Sequence, residues 1–369
     1  MPTPIPYRAK WEANMTFFAD DELGDMATSW EYDGGRVFYN VADYTGDSAW
    51  NAPAAEANAV YRGIWPNHDS PGYYLYTHGQ RLEWERTSNS AAKTYLEAAA
   101  VNGLWTNDTF PNAWIEHYGT TRELSYGFMA YIDYEKVGNA KRTRYDHFLN
   151  QMIEPNTGTY GSYVQQYFTS QTWQSRTLDG LDSDDDVKPW MIGLMMRALI
   201  EAHEWRPDSR IPPAIRTCLD GLYDIVITTG PLASSTFWQP TYLEFPYSDD
   251  VPSLTGSGRA SGLNSLIAPA YAWYALYAAQ HPGNGDPQTY LARFRDIFAG
   301  GVMDAVPATG QEGCIDSLPR QCPVEPYLYL SKQMNQNYIW SPRGVEWYEQ
   351  AESAESVEDG VFRYRKRFV

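Results

Sequence analysis

Long hydrophobic runs are missing from this 369-residue chain. No stretch approaches the roughly 18 apolar residues of a membrane span, so none is expected. The opening MPTPIPYRAKWEA has no apolar core of the kind a secretory signal needs. Met1 therefore reads either as a cytosolic start or as an initiator placed where a signal was cut away. Histidine is scarce, with six scattered copies, and no HExxH, Cys-x-x-Cys or EF-hand spacing occurs. GxSxG, GxGxxG and GxxxxGK[ST] are absent as well. That removes the usual signals for a zincin, a serine hydrolase elbow and a nucleotide cradle. Neither a metal nor a cofactor is expected.

Basic residues are few: 28 Lys and Arg stand against 46 Asp and Glu, a formal charge of −18. Such a surface repels nucleic acid and anionic membranes, so neither is an expected partner. Only three cysteines occur. Cys314 and Cys322 bracket a short polar loop that a disulfide could close, which would favour a secreted or periplasmic life. Cys218, inside a helical stretch, reads as a buried free thiol.

What the chain has is a repeated cadence. Helical stretches run into tight turns and leave as helices around Gly46, Ser88, Gly138, Pro207 and Gly283. Paired antiparallel helices cannot bury their apolar faces singly, so they stack on neighbours, and closure leaves no raw end. The expectation is an all-α (α/α)6 or (α/α)7 toroid, one domain over 1–369. Its first hairpin runs from Ala9 to Asp43. Asp47 or Ser48 caps the next helix, and further helices lie near 75–86, 89–102, 112–136, 141–153, 187–205, 212–228, 260–280 and 287–304. Three long irregular stretches interrupt the pattern: Asn156 to Asp186, Gly230 to Gly258 with a possible β-hairpin at 236–247, and Pro307 to Arg343. Long loops in a compact domain are usually functional, and on one rim they would build a groove.

Aromatics are abundant, with 14 Trp and 29 Tyr. Phe38, Tyr39, Trp273 and Tyr274 follow helical periodicity and are expected in the core. Trp105, Trp114, Trp173, Trp238 and Trp340 lie among polar and turn residues, where an indole can serve as a platform for a sugar ring. With Tyr167, Arg176, Arg259 and Asn264, the indoles of Trp114, Trp173 and Trp238 make the candidate substrate-binding set. Arg259 stands in GRASGLN, a Gly-rich helix entry able to hold an anion.

Three residues carry the leading chemistry. Arg122 and Tyr126 share a helix face at i,i+4, and His117 lies about a turn earlier. An Arg can neutralise a carboxylate and acidify the neighbouring carbon; His or Tyr then takes the proton, and a Tyr hydroxyl protonates the leaving oxygen. Helix capping for His117 and core packing for Tyr126 are the plain structural alternatives. Carboxylates offer a second chemistry. Glu116 and Asp182, with Asp184 and Asp186 of the run LDSDDDVKPW, could supply the acid and base of an inverting glycosidase, although the run could equally cap the following helix.

The segments YDGGRVFYNVADYTGD (Tyr32 to Asp47) and VKPWMIGLMMRALIEAHEWRPDSRI (Val187 to Ile211) resemble the hairpin repeats of the α/α-toroid carbohydrate-active enzymes. Within that group the chain is similar to the α/α-barrel lyases acting on alginate or glucuronan, of the polysaccharide lyase family 38 type. The resemblance implies metal-independent β-elimination on a uronate-containing polysaccharide, with His117, Arg122 and Tyr126 matching the required residue types. A glycoside hydrolase and a noncatalytic glycan-binding protein are the alternatives. A monomer with a polysaccharide or oligosaccharide partner is expected.

Overall fold

The computed structural model describes residues 3–109, 121–153, 189–223, 261–303 and 327–355. Thirteen helices of more than one turn are found there. They are α1 (Arg8–Glu22), α2 (Gly34–Thr45), α3 (Asn51–Ile64), α4 (His78–Thr87), α5 (Ser90–Asn102), α6 (Thr121–Lys136) and α7 (Tyr145–Ile153). Then come α8 (Pro189–Trp205), α9 (Ile211–Gly221), α10 (Ala268–Gln280), α11 (Pro287–Met303), α12 (Tyr327–Tyr338) and α13 (Ser341–Glu355). Among the described residues there is no strand, and no helix is long and apolar enough to cross a membrane.

The helices form a closed α/α toroid. An inner ring runs α2, α4, α6, α8 and α10, each packed on the next, and α12 with α13 fills the sixth place between α10 and α2. Outside it, α1, α3, α5, α7, α9 and α11 each precede an inner partner in the chain. The inner helices α8 and α10 are apolar nearly all round because they face both the ring's axis and an outer layer, whereas α4 buries Gln80, Arg81 and Glu83. In α10 every residue from Ala268 to Leu276 is buried. Phe38, Tyr39, Trp273 and Tyr274 lie in the core as their periodicity predicts.

Closure is made by the chain ends. Asn335 Nδ2 donates to the carbonyls of Ser29 and Glu31, Asn40 Nδ2 donates to those of Tyr338 and Ile339, and Trp11 Nε1 donates to Ser341 Oγ. These bonds correct one expectation: Pro307 to Arg343 is not irregular throughout, since α12 and the start of α13 lie within it. Asn335, Gln336 and Asn337 interrupt the apolar pattern of α12, yet all three are buried, and Asn335 supplies seam hydrogen bonds.

The two ends of the ring differ. Inner helices pass to outer ones through the short links 46–50, 88–89, 137–144, 206–210 and 281–286. Gly46 and Gly138 take left-handed φ of 74° and 101° there, which a side chain would resist. Asp47 accepts from Ala49 N and caps the short 3₁₀ turn Ser48–Trp50 ahead of α3. The return connections are longer: 103–120, 154–188, 222–267 and 304–326 each end at the N-terminus of an inner helix or of α12. Connectivity therefore gathers every long connection at one rim. The β-hairpin expected at 236–247, and Cys314 with Cys322, lie outside the described residues. Cys218 is a buried free thiol in α9, pushed up by desolvation.

Candidate functional site

The rim is stepped. The inner helices α2 and α4 have 12 and 10 residues, whereas α6 and α8 have 16 and 17. Asp33 just before α2, and His78 at the start of α4, therefore stand level with residues well inside the longer helices. The segment 72–78 runs along one flank of α6 and pairs with it rung by rung. Arg122 lies over the Tyr73 ring at 4.9 Å and over Trp190 at 5.7 Å. One turn deeper, Tyr126 meets Tyr76 edge-on at 5.3 Å between centroids. Two turns below that, Asp133 Oδ2 accepts from Thr77 Oγ1 at 2.7 Å.

Below the aromatic rungs is a buried group of charges. Arg81 Nε donates to Asp133 Oδ1 at 2.8 Å, while Arg36 Nη1 and Arg197 Nε both donate to Glu201 Oε1, at 3.1 and 3.0 Å. Arg81 Nη2 also lies 2.7 Å from His78 Nε2. A guanidinium can only donate, so Nε2 is the acceptor and Nδ1 carries the hydrogen. That Nδ1 faces Asp133 Oδ1 at 3.4 Å and Glu201 Oε2 at 3.5 Å. Burial would push the Glu201 carboxyl up, but His78 and Arg197 hold it well below the usual range.

Asp33 is treated differently by its surroundings. Its backbone is left-handed, and its carboxylate caps no turn of its own helix but accepts from Gly79 N at 3.1 and 3.2 Å. Complete burial lifts its pKa to about 7, with Asp133 and Glu201 adding to the rise and Arg197 and the Gly79 N–H opposing it. The chain has made room for this contact: a Cβ on Gly79 would lie 2.4 Å from Asp33 Oδ1. Burying so many charges is a poor way to stabilise a core, since apolar replacements of buried ion pairs are often neutral or better. Carboxyls whose surroundings shift them in opposite directions can serve as the acid and base of a site.

The group encloses a cavity lined by Asp33, Tyr76, His78, Tyr126, Asp133 and Arg197, with Leu75, Thr77, Met129 and Ile339 completing the wall. It offers the centre of a water-sized sphere about 10 Å³, enough for a single such atom. Among the described residues no three metal-ligating side chains gather as a metal site.

Of the residues expected from sequence, the structure brings Arg122 and Tyr126 to this site. Arg122 is paired with Glu123 at 2.6 Å, and Tyr126 is buried and lines the cavity. Asn264 is fully buried in a 3₁₀ turn ahead of α10 and donates to Ile297 O, so it holds two segments together and is covered from solvent. Trp340 is buried against Trp347, and Trp105 packs over Gly72; both indoles serve packing. His117, Glu116, Trp114, Tyr167, Trp173, Arg176, Asp182, Asp184, Asp186, Trp238 and Arg259 lie outside the described residues.

Sequence reasoning passed over Asp33, His78, Asp133, Arg197 and Glu201. Two signals were present: charged residues at i,i+4 inside the apolar run of α8, and Asp133 on the stripe that Arg122 and Tyr126 begin.

No known family profile matches the chain, and no curated protein matches it either. Solved structures do. An unsaturated glucuronyl hydrolase specific for heparin aligns with a TM-score of 0.56 at 12% identity, over 94% of this chain and 98% of that one. The alpha-1,6-mannanase of Salegentibacter sp. HEL1_6 aligns at 0.54 and 9% identity, over 91% and 99%; its inactive variant in complex with alpha-1,6-mannotriose aligns at 0.52. At these identities the likeness is one of fold, and the fold it establishes is the α/α toroid.

Proposed function

We propose that the protein is a glycoside hydrolase acting on an oligosaccharide or polysaccharide at the stepped rim. The observation that carries this reading is Asp33: a carboxyl poised near neutrality by burial, beside a second, strongly ionised carboxylate group, at the end where the long connections meet. A carboxyl with a raised pKa can give its proton to the leaving glycosidic oxygen. The complementary base comes from the run Asp184, Asp185, Asp186. This run ends three residues before α8 in the sequence and lies outside the described residues. Supporting this, the inactive mannanase variant carries asparagine in place of two consecutive aspartates. Both hydrolase neighbours favour cleavage by water over elimination.

Elimination keeps one specific support, namely Arg122 beside Tyr126. A single assay separates the two chemistries. Neutral and uronate-containing glycans are incubated with the protein, and both reducing ends and the ultraviolet absorbance of an unsaturated product are read. Hydrolysis gives reducing ends without absorbance, and Asp33→Asn or a triple Asp184, Asp185, Asp186 to Asn variant lowers turnover by ~10²–10⁴-fold. Absorbance rising with reducing ends on a polyuronate selects elimination. No turnover of any glycan removes both.

A further inference from the structure

The cavity at the base of the site contains polar atoms without partners. Tyr126 Oη and Arg197 Nη1 are both buried, both belong to residues lining the cavity, and among the described residues neither has a hydrogen-bond partner. Tyr126 is 3% exposed and Arg197 2%. Buried polar groups in folded proteins are nearly always paired, so a polar atom of something else belongs beside them. Asp33, across the same cavity, offers an acceptor when ionised and a donor when protonated.

The chemistry of that visitor can be narrowed by charge and by size. Around the cavity Arg81 is matched by Asp133, and Arg36 and Arg197 share Glu201. With Asp33 ionised the three guanidiniums are balanced; with it protonated, as a proton donor must be, one positive charge remains, and a neutral hydroxyl can accept from Arg197. The cavity is small, about 10 Å³, so a lone hydroxyl oxygen enters it more readily than a bulky anion. Building on the hydrolase reading, we infer that this cavity is a subsite for a single unsubstituted sugar hydroxyl, held by Tyr126 and Arg197 beside the carboxyl of Asp33. Such a subsite selects glycans whose deepest-bound residue is free at that oxygen, and rejects those sulfated, acylated or branched there.

The test uses a glycan that the hydrolysis screen identifies, together with its monodeoxy and mono-O-methyl analogues, on the full chain. One ring position should stand out: O-methylation there lowers kcat/KM by ~100-fold or more, and removing the hydroxyl lowers it by ~10–100-fold, as for a site built to hydrogen-bond a hydroxyl. Tyr126→Phe keeps the ring against Tyr76 and deletes only the hydroxyl. It should raise KM more than it lowers kcat, and should shrink the penalty for the deoxy analogue while leaving the other positions alone. Turnover with no such position, or an undiminished deoxy penalty in Tyr126→Phe, overturns the subsite and leaves the hydrolase reading standing. Absence of turnover on every glycan takes both away. If Tyr126→Phe unfolds, the analogue series on the unaltered protein still decides.

Discussion

Replacing Asp33 by asparagine separates a structural carboxyl from a proton donor. The group is fully buried and titrates near 7 in the folded chain, whereas an unfolded aspartate titrates near 3.9. Between those values the folded state keeps a proton that the unfolded state has lost. The stability Asp33 contributes is thus complete below about pH 4 and is lost as pH rises through 7. About three pKa units at 1.36 kcal/mol each give ~4 kcal/mol over the whole span, of which roughly 2–3 kcal/mol falls between pH 5 and 8. Asparagine retains an oxygen for the Gly79 N–H but cannot ionise, so the variant lacks this slope. Urea unfolding of both proteins at pH 5 and pH 8 measures the difference. Relative to the parent, Asp33→Asn should gain roughly 2–3 kcal/mol on going from the lower to the higher pH. Parallel pH dependences would refute the raised carboxyl, and with it the assignment of Asp33 as acid. If the assignment is right, turnover by the parent also falls as pH passes 7, since the acid form disappears.

Gly79→Ala places a methyl 2.4 Å from Asp33 Oδ1, 2.7 Å from Asn58 Oδ1 and 2.9 Å from the Arg36 backbone nitrogen. The backbone cannot yield as a side chain can, so overpacking of ~1–3 kcal/mol should outweigh the ~1 kcal/mol that alanine gains in a helix. An unchanged urea midpoint would contradict this. Asn335→Ala removes both seam bonds to Ser29 and Glu31, so a loss of ~1–3 kcal/mol is expected. Because the seam ties α12 to the segment before α2, limited proteolysis should cut near residues 23–33 sooner than in the parent, and an identical digestion pattern would deny the seam that role.

The ring was legible from sequence because its hinges obey local rules. Gly46, Gly138 and Gly283 all take positive φ, and each ends a helix whose periodicity predicts the pair around it. Those rules act over a few residues and need no knowledge of the tertiary partner. The site was less legible because its residues meet across distances that periodicity does not report. Asp33, His78, Asp133 and Glu201 come from four different inner helices or their entries, and their juxtaposition depends on α2 and α4 being shorter than α6 and α8. A lone His at the start of α4 gives no hint that Arg81 will fix its tautomer. Arg122 and Tyr126 were found because their partnership is local, one turn apart on one helix. Among the loop tryptophans Trp340 misled, since polar neighbours in sequence do not show that a ring is buried against Trp347.

The asymmetry of the two ends explains how one ring can be both closed and reactive. A turn such as 88–89 leaves little freedom between α4 and α5, so the inner-to-outer end fixes the spacing of the helices. The opposite end carries the length variation: its connections run from 23–33 to 222–267, and the inner helices begin at different heights. A short inner helix leaves a gap in the ring wall that other groups must fill, and here the segment 72–78 fills it with aromatic rungs above and a charged floor below. Lengthening α4 by two turns at its N-terminus would close that gap with a helix, and Thr77 and His78 would then face helix backbone in place of a cavity. The site exists because one helix stops short, and the energy for burying its charges comes from a core that the tight-turn end has already assembled.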